Sequence, residues 1–215
     1  MDTFTTLLVL MLQLTKQPAT VVQQAGVDID AVCATEPTAR LCGIAHDIVD
    51  AVDHATRLPF DGPAAKEASA IALLAVAHHE SGLRANIQDC SLCDAALTDG
   101  SGWCDGGRSI SMYQLMVGRA WAGHTREEIC TDNRLATKLA LRWLTHFSRN
   151  ATPATMFRTY AGCKARSCPA ADRINAGFET LARKVGIDAV PTVGPRHFRT
   201  RPPRHDAGHE RSQGK

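Results

Sequence analysis

The chain opens on an apolar run, Leu7 to Leu12, with Asp2 as the only charge before it. Six residues are too few to cross a bilayer. No Lys or Arg precedes the run, so it makes a poor export signal. It reads as an N-terminal amphipathic or buried helix that ends near Pro18. Thr35-Glu36-Pro37 marks a second helix start. Leu41, Ile44, Ala45, Ile48, Val52 and Ala55 then recur at helical spacing. Leu58 to Pro63 is a turn, with Pro63 suited to the first position of a third helix and Asp61 or Gly62 as its cap.

That third helix is apolar on every side from Ile71 to Ala77, the pattern of a buried element. It carries His78, His79 and Glu80 in its last turn, and Gly82 offers a left-handed exit. A loop from Asp89 to Arg108 follows, rich in Asp, Gly and Ser. Ser109 to Met116 is polar and strand-like. Thr125-Arg-Glu-Glu128 is a capping box and starts another helix. Its apolar stripe, Leu135, Leu139, Trp143 and Phe147, runs to about Arg149 and reads as core. Pro153 opens a short helix leading to Tyr160. Pro169 to Val185 forms the last helix, with Ile174, Phe178, Leu181 and Val185 inward and Gly186 as stop. No internal repeat is visible. The pattern predicts a mainly α protein with a small β-hairpin or irregular insert between Glu80 and Gln114.

Composition sharpens the division of the chain. The 215 residues suit one domain with tails. The division expected is an N-terminal helical segment (1–60), a main domain (61–187) and a tail (188–215). The tail holds four prolines, six basic residues and three histidines, a composition too poor in apolar residues to fold alone. Aromatics are only 5%, so the core must rest on Ala, Leu, Ile and Val. The balance of 24 basic against 22 acidic side chains is too even to indicate nucleic acid.

Eight cysteines indicate disulfides and an oxidising compartment. Loop geometry makes Cys33–Cys42 and Cys163–Cys168 the natural local pairs. Cys90, Cys93, Cys104 and Cys130 would then close the insert onto the next helix. The rival is a zinc site built from those four with His78 and His79. The chain lacks a second Cys-x-x-Cys and any His-Glu-x-x-His, so disulfides are preferred and no metal or cofactor is expected.

The chemistry centres on Glu80. A carboxylate in the last turn of a buried helix feels both desolvation and the negative end of the helix dipole. Both favour the protonated form, which is what an acid catalyst needs near neutral pH. One insert aspartate is expected to face it across the cleft, with Asp99 and Asp105 as the candidates. Trp103 would either stack on a sugar ring or anchor the loop.

Three blocks occur in order: Glu80-Ser81, Ser111-Met112-Tyr113-Gln114 and Tyr160-Ala161-Gly162. Together, over about Ala64 to Val185, they resemble the lysozyme-like superfamily, its lytic transglycosylases and goose-type lysozymes. Ser111 stands where that family has Gly, and Tyr160 lacks the Asn that usually follows. The resemblance implies cleavage of the β-1,4 bond between N-acetylmuramic acid and N-acetylglucosamine in peptidoglycan. Glu80 would be the acid and base, and Tyr160 would hold Glu80 or meet charge on the sugar. Ser81, Ser111, Tyr113 and Gln114 would bind substrate. The transglycosylase mode, in which the sugar's own 6-hydroxyl replaces water, needs no second carboxylate and is preferred to a muramidase. The implied setting is periplasmic, extracellular or virion-associated, within a larger envelope or virion assembly. Two readings from other classes compete: a non-catalytic wall-binding or virion structural protein, and a zinc-binding interaction module.

Overall fold

A computed structural model describes residues 2–19, 22, 28–116, 118–149, 151–163 and 167–187. The tail from 188 onward and part of the first 25 residues lie outside the described residues. The chain is mainly helical with one small two-stranded antiparallel sheet, as the pattern predicts.

Helix α1 (Thr3–Leu14) buries the whole run from Leu7 to Leu12. Asp2 is its N-cap, accepting from the backbone N–H of Thr5 at 2.9 Å, so the one early charge starts the helix. A short α2 (Ile29–Cys33) leads to α3 (Thr38–Asp53), whose predicted stripe of Leu41, Ile44, Ala45, Ile48 and Val52 is buried. Helix α4 (Ala65–Ser81) is the centre. Ala68 to Ala77 are all buried, and α1, α3 and the last helix pack around it. It starts two residues later than Pro63 predicts, with Ala64 as cap and no side-chain cap bond.

The insert departs from expectation. Its Asp- and Gly-rich stretch is not an open loop but folds into α5 (Ala85–Gln88), α6 (Ser91–Asp99) and a single turn, α7 (Cys104–Gly107), whose four residues all have positive φ and are left-handed rather than regular α-helix. Cys93 and Ala96, three apart on α6, turn inward. Two disulfides hold this segment: Cys93–Cys104 ties α6 to α7, and Cys90–Cys130 ties α6 to α8 (Arg126–Thr131). Cys33–Cys42 and Cys163–Cys168 complete the set, so the eight cysteines form four disulfides. The thiolates that a zinc site would use are consumed. Strands β1 (Ser109–Ile110) and β2 (Leu115–Met116) form the hairpin, with Ser109 opposite Met116 and Ile110 opposite Leu115.

The predicted long helix after Thr125 is two. The capping box at Thr125 and Glu128 is present, but α8 ends at Thr131. Asp132 is extended, and its carboxylate accepts from the N–H of Leu135, starting α9 (Asn133–Phe147) afresh. Helices α10 (Pro153–Tyr160) and α11 (Pro169–Lys184) follow as predicted. Gly177 on α11 matters for packing. A Cβ there would lie 2.4 Å from Nε2 of His79, so glycine lets α11 lie close against the end of α4. One hydrophobic cluster runs from Leu7 to Ala182. Among the described residues, no helix is long and apolar enough to cross a membrane.

Candidate active site

Glu80 occupies the last turn of α4, and that turn is firmly closed. Gly82 takes a left-handed conformation (φ +61°) and donates its N–H to the carbonyl of His78 at 2.8 Å. Ser81 is buried. Its hydroxyl donates to the carbonyl of Ala77 at 2.7 Å and accepts from the N–H of Leu83 at 3.1 Å. Ser81 therefore fixes the helix end beside the acid, and its hydroxyl is used within the fold.

The hairpin turn forms the facing wall. Ser111 and Gln114 both have positive φ, at 63° and 48°. Ser111 is buried and accepts from the N–H of Tyr113. The Tyr113 ring is fully buried, and its hydroxyl meets that of Thr137 at 3.1 Å. Thr137 gives its own proton to the carbonyl of Asn133, so Tyr113 is the donor of that pair. Ser111 and Tyr113 thus shape the turn from inside. Gln114 reaches the cleft, with its amide donating to the Ser111 carbonyl at 3.1 Å.

Glu80, Asp105, Ser109, Gln114, Met116 and Tyr160 line a common cleft of about 650 Å³. Asp99 is elsewhere. It is exposed and accepts from the N–H of Ser101 at 2.7 Å, an Asx turn that ends α6 and keeps its carboxyl below the usual range. Of the two aspartates, only Asp105 comes to the cleft, where its carboxylate accepts from the Ser109 hydroxyl at 2.8 Å. Trp103 is outside the lining, 49% exposed, with the Arg84 guanidinium over its ring.

The Tyr160 hydroxyl donates to the backbone carbonyl of Tyr113 at 2.7 Å. It pins α10 to the hairpin across the cleft wall. Its pKa is raised by burial and by the nearby Glu80 charge. Tyr160→Phe would leave that carbonyl unpaired in a buried setting, at a cost on the order of 1–3 kcal/mol. Thermal unfolding of the variant should show this loss. A melting temperature equal to wild type would mean that the hydrogen bond holds nothing.

Sequence reasoning missed part of the cleft. Trp143 and Phe147 do pack on the core, but they are half-buried and their open side lines the cleft with His146. The Trp143 and His146 rings stack with centroids 5.5 Å apart, and Phe147 meets Trp143 edge-on at 4.6 Å. Flat aromatic faces of this kind suit the apolar face of a sugar ring.

Electrostatically the site keeps a proton. Burial pushes the Glu80 carboxyl up to about 7, the Asp105 charge adds to the rise, and Arg173 opposes it. Burial also lowers the pKa of His78 and His79, so neither is a reliable cation beside the acid at neutral pH. The sign of the linkage follows. Glu80 binds its proton more tightly folded than unfolded, so its contribution to stability is full below about 4.5 and is lost as pH rises through about 7. Glu80→Gln cannot ionise. It should match wild type in stability near pH 4 and exceed it by about 3 kcal/mol at pH 8. Denaturant unfolding at the two pH values checks this. An equal difference at both would show that Glu80 is solvated and ordinary.

No protein-family model, no curated protein and no solved structure matches the chain.

Proposed function

We propose that this chain is a glycosidase that cleaves the β-1,4 bond between N-acetylmuramic acid and N-acetylglucosamine in peptidoglycan. The observation that carries the reading is Glu80 at the edge of an open, aromatic-walled cleft, with its carboxyl pushed up to about 7. Glu80 gives its proton to the glycosidic oxygen as the bond to the anomeric carbon breaks. The carboxylate left behind then takes a proton from the incoming nucleophile. When that nucleophile is the 6-hydroxyl of the same sugar, the product is an anhydro sugar. Gln114 offers a polar group to the glycan, and Trp143 offers an apolar face.

Hydrolysis is the second reading, and Asp105 favours it. Its charge is felt by Glu80, and it lines the same cleft. A second carboxylate can activate water, as in two-carboxylate glycosidases whose pairs lie about 5–9.5 Å apart. Four disulfides suit an oxidising compartment. The proposed setting is therefore the periplasm, the exterior or a virion, with glycan strands as partner.

Mass spectrometry of digested peptidoglycan tests both readings. Anhydro ends identify the transglycosylase, and reducing ends identify the muramidase. Undigested glycan from folded, disulfide-bonded protein would overturn the glycosidase reading and leave a binding protein.

A further inference from the structure

Helix α9 separates two grooves. Trp143, His146 and Phe147 line the cleft, while Lys138, Leu141, Arg142, Thr145, His146 and Arg149 line a second groove of about 660 Å³. His146 belongs to both, so the grooves meet over it. The opposite wall of the second groove is the end of α3 and the turn after it, with Ala51, His54, Ala55 and Arg57.

The second groove is basic. Lys138, Arg142 and Thr145 fall on one face of α9 by helical period, and Arg149 follows in the turn after it. Arg57 faces them from the α3 side. Among the described residues, no carboxylate lines the groove. Asp50, at its margin, is shared by Arg134, Lys138 and His54. None of the ion pairs among the described residues takes up Arg57, Arg142 or Arg149. Ala51, Ala55 and Leu141 supply apolar surface between the charges. Like charges gathered on one helix face oppose folding rather than help it. A basic wall with apolar surface between its charges fits a carboxylate-bearing peptide.

We propose that this groove holds the acidic stem peptide of the glycan strand bound in the cleft. This rests on the glycosidase reading for the identity of the strand. Stem peptides branch from the muramic acid sugars and carry free carboxylates. A strand in the cleft can pass its branch over His146 to Arg57, Arg142 and Arg149, which bind carboxylates through charge-assisted hydrogen bonds.

The test uses binding, so it does not depend on turnover. Arg142→Gln with Arg149→Gln is made in the Glu80→Gln background, and its fold is checked by circular dichroism and thermal unfolding. Both positions are exposed, so the core is untouched. Co-sedimentation is measured with purified sacculi freed of phosphate polymers, with the same sacculi before that treatment, and with stem-free glycan made by an amidase. The expected result is about tenfold weaker binding to phosphate-free, stem-bearing sacculi and unchanged binding to stem-free glycan. An equal loss on both glycans, or no loss on either, overturns the proposal. A loss seen only before phosphate removal overturns it in favour of a phosphate ligand. Displacement by duplex DNA at matched charge overturns it in favour of unspecific polyanion binding. Failure of the parent protein to cleave glycan would count against the glycosidase reading, while binding that depends on the stems would still stand.

Discussion

Glu80→Gln should lower cleavage of cell-wall glycan by about two to four orders of magnitude with the fold intact. The amide has nearly the shape of the acid, so the cleft keeps its walls. It cannot give a proton to a glycosidic oxygen. The end of α4 does not depend on the carboxyl: Ser81 and Gly82 close it through the carbonyls of Ala77 and His78. Loss of rate therefore reports chemistry. Turbidity clearance of purified walls measures it, with circular dichroism as the check on folding. Clearance near the wild-type rate by a folded variant would sink the assignment of Glu80. The pH profile gives a second handle. The acid form of wild type is depleted as pH rises through about 7, so the rate should fall over that range.

Much of this arrangement is written locally in the chain. The unbroken apolar run before Glu80 dictates a buried helix, and the Gly82 exit follows from a left-handed cap. Thr125 with Glu128, and the prolines at 153 and 169, start helices where local chemistry says they should. Asp132 was legible too, since Asp is a favoured N-cap and its carboxylate meets the N–H three residues on. The stripe from Leu135 to Phe147 hides it, because it reads as a continuation of the helix that Thr125 starts.

What the sequence could not show is set by distant contacts. The helix over Ser91–Asp99 is legible in Leu92, Ala95, Ala96 and Leu97 and in its lack of Gly and Pro, but where it sits is set by the bonds of Cys90 to Cys130 and of Cys93 to Cys104. For the same reason Asp99 and Asp105 look alike in sequence. One ends α6 and the other enters the cleft because Cys104 is drawn back to α6. Trp143 and Phe147 illustrate another limit. Helical period says which face of α9 turns inward, not where the covering neighbour stops. Their outer edges are left open, and that opening is the cleft wall.

Removing Cys90–Cys130 by changing both residues to Ala should cost about 4 kcal/mol, the largest stability effect among the four disulfides. The bridge closes 40 residues of chain, and in the chain-entropy model the loss grows with the logarithm of that length, giving roughly this figure. Cys163–Cys168 closes only 5 residues and should cost about half as much, roughly 2 kcal/mol. For a chain of this size, about 4 kcal/mol corresponds to a fall in Tm of roughly 8–16 °C. The effect should reach the site. Without the bridge, Arg126 of α8 still reaches the Asp94 carboxylate of α6 at 2.7 Å and the Gly107 carbonyl of α7 at 2.8 Å. The exposed ion pair is worth about 0–1 kcal/mol, too little to replace the covalent link. Asp105 and the cleft edge at Gly102 and Cys104 then move more freely against Glu80. The double variant should therefore lose activity on heating well before wild type does, and before the Cys163→Ala, Cys168→Ala variant, whose short loop costs less to open. Scanning calorimetry and residual activity after heating, measured on both variants side by side, decide the matter. If the short bridge costs as much as the long one, loop closure is not what these disulfides contribute, and strain or local packing is.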